Sequence, residues 1–256
     1  METTIINTLK LKDISFGYEK KRLIIDNLSY EFVGGKVYAL LGAMASGKST
    51  LLKLIARLLK PMSGKIVFND IDIDSMTEIQ LRKQVGIAFQ YPDRSIFALS
   101  VFEEIAFALK MLYPEKKDEF RDRVIKAMAI VGLDESFIER NPHFLSGGEK
   151  RKVSLAASLV HEPSVLLLDE PTAGLDGISA KQILSFFSSY AQKGKIVLFT
   201  THHLEDTCYA DETLIMFEGK LHQVEPTDVQ TMLKFGLMPP EYVLYHRWGR
   251  FYGFEK

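Results

Sequence analysis

A short glycine-containing loop constrains the fold of this chain more than any other feature. The apolar run VYALL at 37–41 predicts a buried strand, and the next eight residues satisfy the pattern G-x-x-x-x-G-K-[ST]. A helical stripe, GKSTLLKLIARLLK, follows directly and stops at Pro61. This order of strand, loop and helix predicts backbone N–H groups and a positive helix end that together bind phosphate. We assign to the loop and the helix start Gly42, Ala43, Met44, Ala45, Ser46, Gly47, Lys48, Ser49 and Thr50.

Two side chains of this loop carry specific chemistry. Lys48 is placed to reach the β- and γ-phosphates of a nucleotide, and the Ser49 hydroxyl can ligate Mg²⁺. A glycine-rich turn that happens to precede a helix would require neither residue. We therefore expect nucleotide and Mg²⁺ at this loop.

A second pair of residues stands where another buried strand ends. Asp169 and Glu170 close the apolar run VLLLDE, at the edge of an α/β sheet where ligands bind. One carboxylate can hold Mg²⁺ through water and the other can polarise an attacking water. On its own the pair would also fit two solvated charges at a strand end.

Two further polar residues follow short apolar runs. Gln90 in GIAFQYPD could contact both the metal and the attacking water, although a lone glutamine is more often a turn residue. His202 follows KIVLFTT and could hydrogen-bond a γ-phosphate, whereas His203 would point the other way if the strand continued.

The stretch LSGGEK predicts a second helix start that favours anions. Ser146 and Glu149 form the pattern of a capping box, which explains neither Gly147 nor Gly148 between them. Each glycine costs about 1 kcal/mol relative to alanine in a helix. Glycines in a first helical turn expose N–H groups for the close approach of an anion.

The remaining pattern predicts an α/β protein. Residues 9–41 alternate β-rich runs and suggest a small sheet, and residues 100–160 are mostly helical in pattern. The continuous apolar runs SVLLLDE and KIVLFT predict strands covered on both faces, with ISAKQILSFFSSYAQKG as the crossover helix between them.

Composition excludes several other classes. Lys and Arg number 32 against 33 Asp and Glu, so no overall basic field attracts nucleic acid. Cys208 is the single cysteine, which excludes an internal disulfide, and we expect it to be a small apolar filler. The N-terminus lacks the pattern of a signal peptide and no apolar stretch is long enough to span a bilayer. Any role at a membrane therefore requires a partner.

Taken together, the motifs resemble those of ATP-binding cassette (ABC) ATPases and occur in that family's order. Residues 42–49 match its Walker A motif, Gln90 its Q-loop, LSGGEK its signature, VLLLDE its Walker B motif, AGLD at 173–176 its D-loop and His202 its switch histidine. Tyr18 resembles the aromatic residue that stacks on adenine.

The resemblance implies a P-loop NTPase (RecA-like) core with a parallel sheet, a small N-terminal antiparallel β-subdomain and a helical insertion that carries the signature. It implies that Glu170 is the general base, and that Gln90, Ser49 and Asp169 serve the metal. Ser146, Gly147 and Gly148 would contact ATP held by a second ABC ATPase subunit, either a copy or a paralogue.

The same resemblance sets the expected domains. We expect an ATPase domain at 9–222 with a helical subdomain at about 91–160, and a short C-terminal extension at 223–256 as a possible dimerisation element. The stretch 241–256 contains six aromatic residues. They could form a dimer contact or pack on their own domain.

Within the family, FQYPDRSIFALSVFEEIAFAL is similar to the stretch after the Q-loop of energy-coupling factor (ECF) and cobalt-type ATPases. It departs from their pattern at Tyr91, Ser95, Phe102 and Ala108. The similarity implies an ATPase at the cytoplasmic face of the cell membrane that energises an importer of a vitamin or transition-metal ion. Its partners would be an integral membrane coupling subunit, near Ser95 to Ala98, and a substrate-binding membrane subunit.

Three alternatives remain open or distant. A conventional ABC importer or exporter would use the same cassette with other membrane partners, and a binding module would hold ATP without hydrolysing it. A DNA-maintenance ATPase would place a long coiled coil between Walker A and the signature. Here only 98 residues separate Lys48 from Ser146, without sustained heptads.

Overall fold

The computed structural model describes residues 6–19, 22–225 and 228–237. The strands are β1 (Thr8–Phe16), β2 (Ile25–Val33), β3 (Lys36–Leu41), β4 (Ser63–Phe68), β5 (Ile71–Asp72), β6 (Val85–Ala88), β7 (Val165–Asp169), β8 (Ile196–Thr200), β9 (Glu212–Phe217) and β10 (Lys220–Val224). The α-helices are α1 (Lys48–Ile55), α2 (Glu78–Gln84), α3 (Val101–Leu112), α4 (Phe120–Ile130), α5 (Gly147–Leu159), α6 (Gly177–Ala191) and α7 (Val229–Lys234).

The strands form two sheets. A six-stranded sheet has the order β10-β9-β3-β8-β7-β6, and all its pairs are parallel except β9 with β10. A four-stranded antiparallel sheet has the order β2-β1-β4-β5. The predicted α/β class, with a parallel core sheet and a small antiparallel subdomain, is confirmed.

The prediction of one small sheet over residues 9–41 was wrong at its C-terminal end. The turn at Gly34 and Gly35 carries the chain from β2 in the antiparallel sheet to β3 in the parallel sheet. β3 pairs with β8 and β9 on its two sides. A nearly continuous apolar run suits this position, because a central parallel strand is covered on both faces.

Two apolar cores lie on the two faces of the six-stranded sheet. Val37 and Ala39 face the core shared with α3, α4, α5 and α6, whereas Tyr38 and Leu40 face the core shared with α1 and the antiparallel sheet. This alternation follows from the period of two along a strand. The two cores therefore hold the carboxyl ends of the parallel strands, and the loops that follow them, between two packed layers.

The helical insertion lies between β6 and β7. It contains α3, α4 and α5, and α5 begins at the signature sequence. These helices agree in position with the expected subdomain at about 91–160, whose limits remain a prediction.

The described part of the C-terminal extension packs on the edge of the parallel sheet. β10 ends at Val224, and Met232 of α7 is buried in a third apolar cluster with Leu41 and Ile215. The aromatic stretch 241–256 lies outside the described residues.

Two observations concern the surface and the membrane. Cys208 is exposed, so the prediction that it fills an apolar site was wrong. Within the residues that the structure describes, no helix has the length and apolarity that crossing a membrane would need.

Candidate active site

The loop at 42–49 joins β3 to α1 and has the backbone of an anion cradle. Gly42 and Gly47 have φ of 144° and 108°, which side chains rarely allow. A Cβ atom at Gly47 would lie 2.9 Å from Ile24 Cγ2, and one at Gly42 would lie 2.6 Å from the backbone oxygen of Met216. Both glycines are therefore required by conformation and by space.

Lys48 is folded back over this loop. Its ammonium donates hydrogen bonds to the backbone oxygens of Gly42 at 2.8 Å and Ala43 at 3.0 Å, and the residue is 6% exposed. Burial lowers the pKa of Lys48, while the nearby carboxylates of Glu170 and Asp169 act in the opposite direction.

One hydroxyl of the loop lacks a hydrogen bond. Ser46 Oγ is buried and has no hydrogen-bond partner among the described residues, which is unusual because buried polar atoms are nearly always paired. A phosphate oxygen entering the loop would accept the hydrogen bond that Ser46 does not make in this structure.

The strand order brings three predicted residues together. β6 and β8 flank β7, so Gln90 after β6, Glu170 after β7 and His202 after β8 converge at one edge of the sheet. Gln90 Nε2 donates to Glu170 Oε2 at 2.9 Å, and His202 Nε2 lies 2.5 Å from Glu170 Oε1. Both oxygens of the Glu170 carboxylate thus have a polar neighbour, the Gln90 amide on one side and the His202 ring on the other.

A cavity of about 350 Å³ beside these residues is lined by Ser49, Gln90 and Asp169. Their hydroxyl, amide and carboxylate oxygens are hard donors of the kind that Mg²⁺ prefers. The donor set therefore fits the predicted metal.

Tyr18 lies beside Thr50, near the start of α1. The residue is 60% exposed, and its ring contacts Phe16 edge to face at 5.2 Å between ring centroids. Its hydroxyl is 3.4 Å from Thr50 Oγ1. The structure places an exposed aromatic face next to α1, where the base of a nucleotide can stack.

The signature residues begin α5 as predicted. Glu149 N–H donates to Ser146 Oγ at 3.3 Å and Ser146 N–H donates to Glu149 Oε2 at 2.7 Å, which confirms the capping box. A Cβ at Gly148 would lie 3.1 Å from the backbone oxygen of Gly174, whereas a Cβ at Gly147 would meet none of the described residues within 4 Å. Gly148 thus has a local packing reason, and no described residue gives one for Gly147.

The signature does not join the rest of the site within this chain. Among the described residues, no hydrogen bond or ion pair connects 146–148 with the loop at 42–50. The structure therefore brings together the loop, the carboxylates, Gln90 and His202, and leaves Ser146, Gly147 and Gly148 apart.

Sequence reasoning missed two buried residues near the site. Arg151 of α5 donates to the backbone oxygens of Phe89, at 2.6 Å, and Gln90, and thereby ties the signature helix to the Gln90 loop. Thr200 at the end of β8 contacts Asp169, the last residue of β7, and Glu170, which follows it. No local pattern marks either residue, because each contact joins positions at least 30 residues apart.

These features define the class of the protein as a P-loop ATPase of the cassette type. The family model for ABC transporters matches residues 25–173. The energy-coupling factor transporter ATP-binding protein EcfA2 of Acetivibrio thermocellus is 37% identical over 231 residues, which cover 88% of this chain and 81% of that protein.

Solved structures agree. The cbiO1 protein of Clostridium perfringens, described as part of the ABC transporter complex cbiONQ, is 33% identical with a TM-score of 0.75, and the match covers 93% of this chain and 98% of that one. A dimeric bacterial ABC transporter cassette is 25% identical with a TM-score of 0.77, covering 85% of this chain and 99% of that one. The chain belongs to the ABC transporter family and, within it, to the ECF transporter ATP-binding proteins. It is an ATP hydrolase.

Proposed function

We propose that Glu170 is the general base of ATP hydrolysis and that Gln90 and His202 sense the γ-phosphate beside it. The observation that carries this proposal is the contact of both residues with the two oxygens of one carboxylate, close to Lys48. Each carboxylate oxygen keeps a further lone pair, so Glu170 can accept the proton of an attacking water. The amide of Gln90 and the ring of His202 hold the carboxylate at one orientation meanwhile.

The loop residues supply the phosphate contacts. Lys48 would exchange its two backbone acceptors for phosphate oxygens, and Ser46 Oγ would gain its missing partner. Ser49, Gln90 and Asp169 would hold Mg²⁺, which would neutralise charge on the phosphates when bound. Tyr18 would stack on the base.

Gly147 supports a site shared between two subunits. Gly147 lies at the N-terminus of α5, and no described residue fills the space of a side chain there. Helix N-termini favour anions. We assign this surface to the γ-phosphate of ATP bound by a second ABC ATPase subunit, as a copy of this chain or a paralogue. The 25% identical cassette described above is dimeric, which supports the same arrangement.

Gly147→Asp tests the shared site. Because none of the described residues obstructs a side chain there, the variant should fold and bind ATP as the parent does. The aspartate would repel the partner's ATP, so the ATP-dependent closed dimer should be lost in size-exclusion chromatography. Ser189→Asp, which adds the same charge at an exposed position of α6, serves as the control. Loss of ATP binding by the Gly147→Asp monomer would give Gly147 a local role instead.

An apolar groove supports a membrane partner. It lies between β6, α3 and α5, has a volume of about 410 Å³, and exposes Phe97, Phe107 and Met111. The rings of Phe97 and Phe107 meet at 4.9 Å between centroids. The buried carboxylate of Glu104 accepts the N–H groups of Phe97 and Ala98 at 3.0 and 2.9 Å, which fixes the loop at the rim.

We assign this groove to the membrane coupling subunit, so the chain would lie at the cytoplasmic face of the membrane. The names of its relatives support an ECF-type transporter, and we propose that its cargo is a vitamin or a transition-metal ion. Purification of the chain from its own cells should yield an integral membrane coupling subunit and a small substrate-binding membrane protein. Recovery of a soluble binding protein with two permeases would instead indicate a conventional importer.

The groove itself can be tested in the same purification. Phe107→Asp should reduce the recovery of the membrane subunit, because a charge would be buried in an apolar contact. Ile79→Asp replaces another exposed apolar residue, on α2 outside the groove, and should leave recovery unchanged. Equal recovery with both variants would show that the partner docks elsewhere.

A further inference from the structure

Thr200 occupies a position that no motif assigns. It is the last residue of β8, it pairs in parallel register with Asp169 of β7, and it is fully buried. Its hydroxyl donates to Asp169 Oδ1 at 2.7 Å, and the same oxygen accepts the N–H of Glu170 at 2.9 Å.

The direction of these hydrogen bonds is fixed by their chemistry. The amide of Glu170 can only donate, so the single hydroxyl proton of Thr200 must point to Asp169. The hydroxyl therefore joins Glu170 and Asp169 through two consecutive hydrogen bonds. Consecutive hydrogen bonds polarise one another.

This link has a consequence for each carboxylate. It occupies Asp169 Oδ1, which leaves Oδ2 as the less constrained oxygen for a ligand. Glu170 has φ of 51°, a left-handed conformation that costs about 1–2 kcal/mol in a residue other than glycine, and its N–H is bound by the hydroxyl rather than by a backbone oxygen.

The adjacent hydroxyl shows that this contact is selective. Thr201 Oγ1 donates to Asp206 Oδ2 at 2.7 Å, as does Thr172 Oγ1 at 2.9 Å, so this second group of hydroxyls serves another carboxylate. Only Thr200, among the described side-chain hydroxyls, bonds to Asp169.

We propose that Thr200 is a positioning residue that orients Asp169 for Mg²⁺ and holds Glu170 in its left-handed conformation. The proposal rests on the roles assigned above to Asp169 and Glu170. Residues that orient metal ligands typically contribute about 10-fold to 100-fold in metal affinity or activity.

The test measures how much Mg²⁺ strengthens nucleotide binding. A fluorescent ATP analogue is titrated into the Glu170→Gln protein, which prevents turnover, with Mg²⁺ and with EDTA. Adding Thr200→Val, which keeps the shape and removes the hydroxyl, should reduce the Mg²⁺ enhancement about 10-fold or more and leave binding in EDTA unchanged. Thr200→Ser should restore the enhancement, because it keeps the hydroxyl.

Two control variants and one substitute variant complete the experiment. Thr207→Val removes another buried hydroxyl, which bonds to the Leu204 backbone, and should leave the enhancement unchanged. If Thr200→Val does not fold, Thr200→Cys replaces it with the same expected result. Asp169→Asn, measured alongside, should abolish the enhancement.

The results separate this inference from the proposed function. Equal weakening with Mg²⁺ and with EDTA, or an unchanged enhancement in Thr200→Val while Asp169→Asn loses it, would overturn the role of Thr200 alone. An unchanged enhancement in Asp169→Asn would overturn the metal role of Asp169 and this inference with it.

Discussion

Arg151→Met should destabilise the protein clearly, although methionine is a neutral and flexible residue. Arg151 is 4% exposed, and its two terminal nitrogens donate to the backbone oxygens of Phe89 and Gln90. A hydrogen bond to a charged group contributes about 1.5–3 kcal/mol, so the two together contribute roughly 3–6 kcal/mol. Methionine removes both donors and leaves two carbonyls under-satisfied.

Part of this loss is offset. Burial removes the Arg151 cation from water and lowers its pKa, and its Nε has no hydrogen-bond partner among the described residues. Release of that cost by methionine reduces the net effect to about 3 kcal/mol. At roughly 2–4 °C per kcal/mol for a chain of this size, the melting temperature should fall by about 6–12 °C.

Differential scanning calorimetry measures this fall, and Arg121→Met is the matched control. Arg121 is largely exposed and its contacts with Glu135 and Glu139 are 3.6 and 3.8 Å, so its loss should cost less than about 1 kcal/mol. A melting temperature for Arg151→Met as high as that for Arg121→Met would refute the reasoning. It would mean that the carbonyls of Phe89 and Gln90 find other donors.

Two further predictions concern pH and the loop. Burial, with help from the cations of Arg123 and Lys195, lowers the pKa of His161 to about 4, below its ordinary 6.5, so the unfolded chain takes up a proton first as pH falls. Between pH 6.5 and 4 the parent should therefore lose about 3 kcal/mol of unfolding free energy that His161→Leu does not lose. Urea unfolding of both proteins at the two pH values tests this. Equal losses in the two proteins would count against it. Gly47→Ala should lose ATP binding and about 1–3 kcal/mol of stability, because φ at this position is 108° and Ile24 would lie 2.9 Å from the added carbon. Wild-type affinity in an ATP titration would contradict this.

The parts of this protein that depend on short-range residue patterns could be predicted from the sequence. The residues of the loop at 42–49, the capping box at Ser146 and the apolar strands before Asp169 and His202 each follow from short-range spacing. Their convergence could be expected because the carboxyl ends of parallel strands meet at one edge.

The remaining contacts depend on strand order and register, which no short pattern states. The entry of β3 into the parallel sheet was missed because a β-rich run with a turn signal fits either sheet. Thr200 and Arg151 were missed because a threonine in a strand and an arginine in a helix are ordinary. Only the register of β8 with β7, and the packing of α5 on the Gln90 loop, gives them partners.

The central claim is that Glu170 abstracts the proton of the attacking water. The most direct measurement is single-turnover hydrolysis of ATP by Glu170→Gln, in the complex purified from its own cells, with ATP binding measured in parallel. The amide keeps the shape of the side chain but cannot act as a base. Binding should be retained while hydrolysis falls by roughly 10²–10⁴-fold. Hydrolysis within a few fold of the parent's rate would contradict the claim.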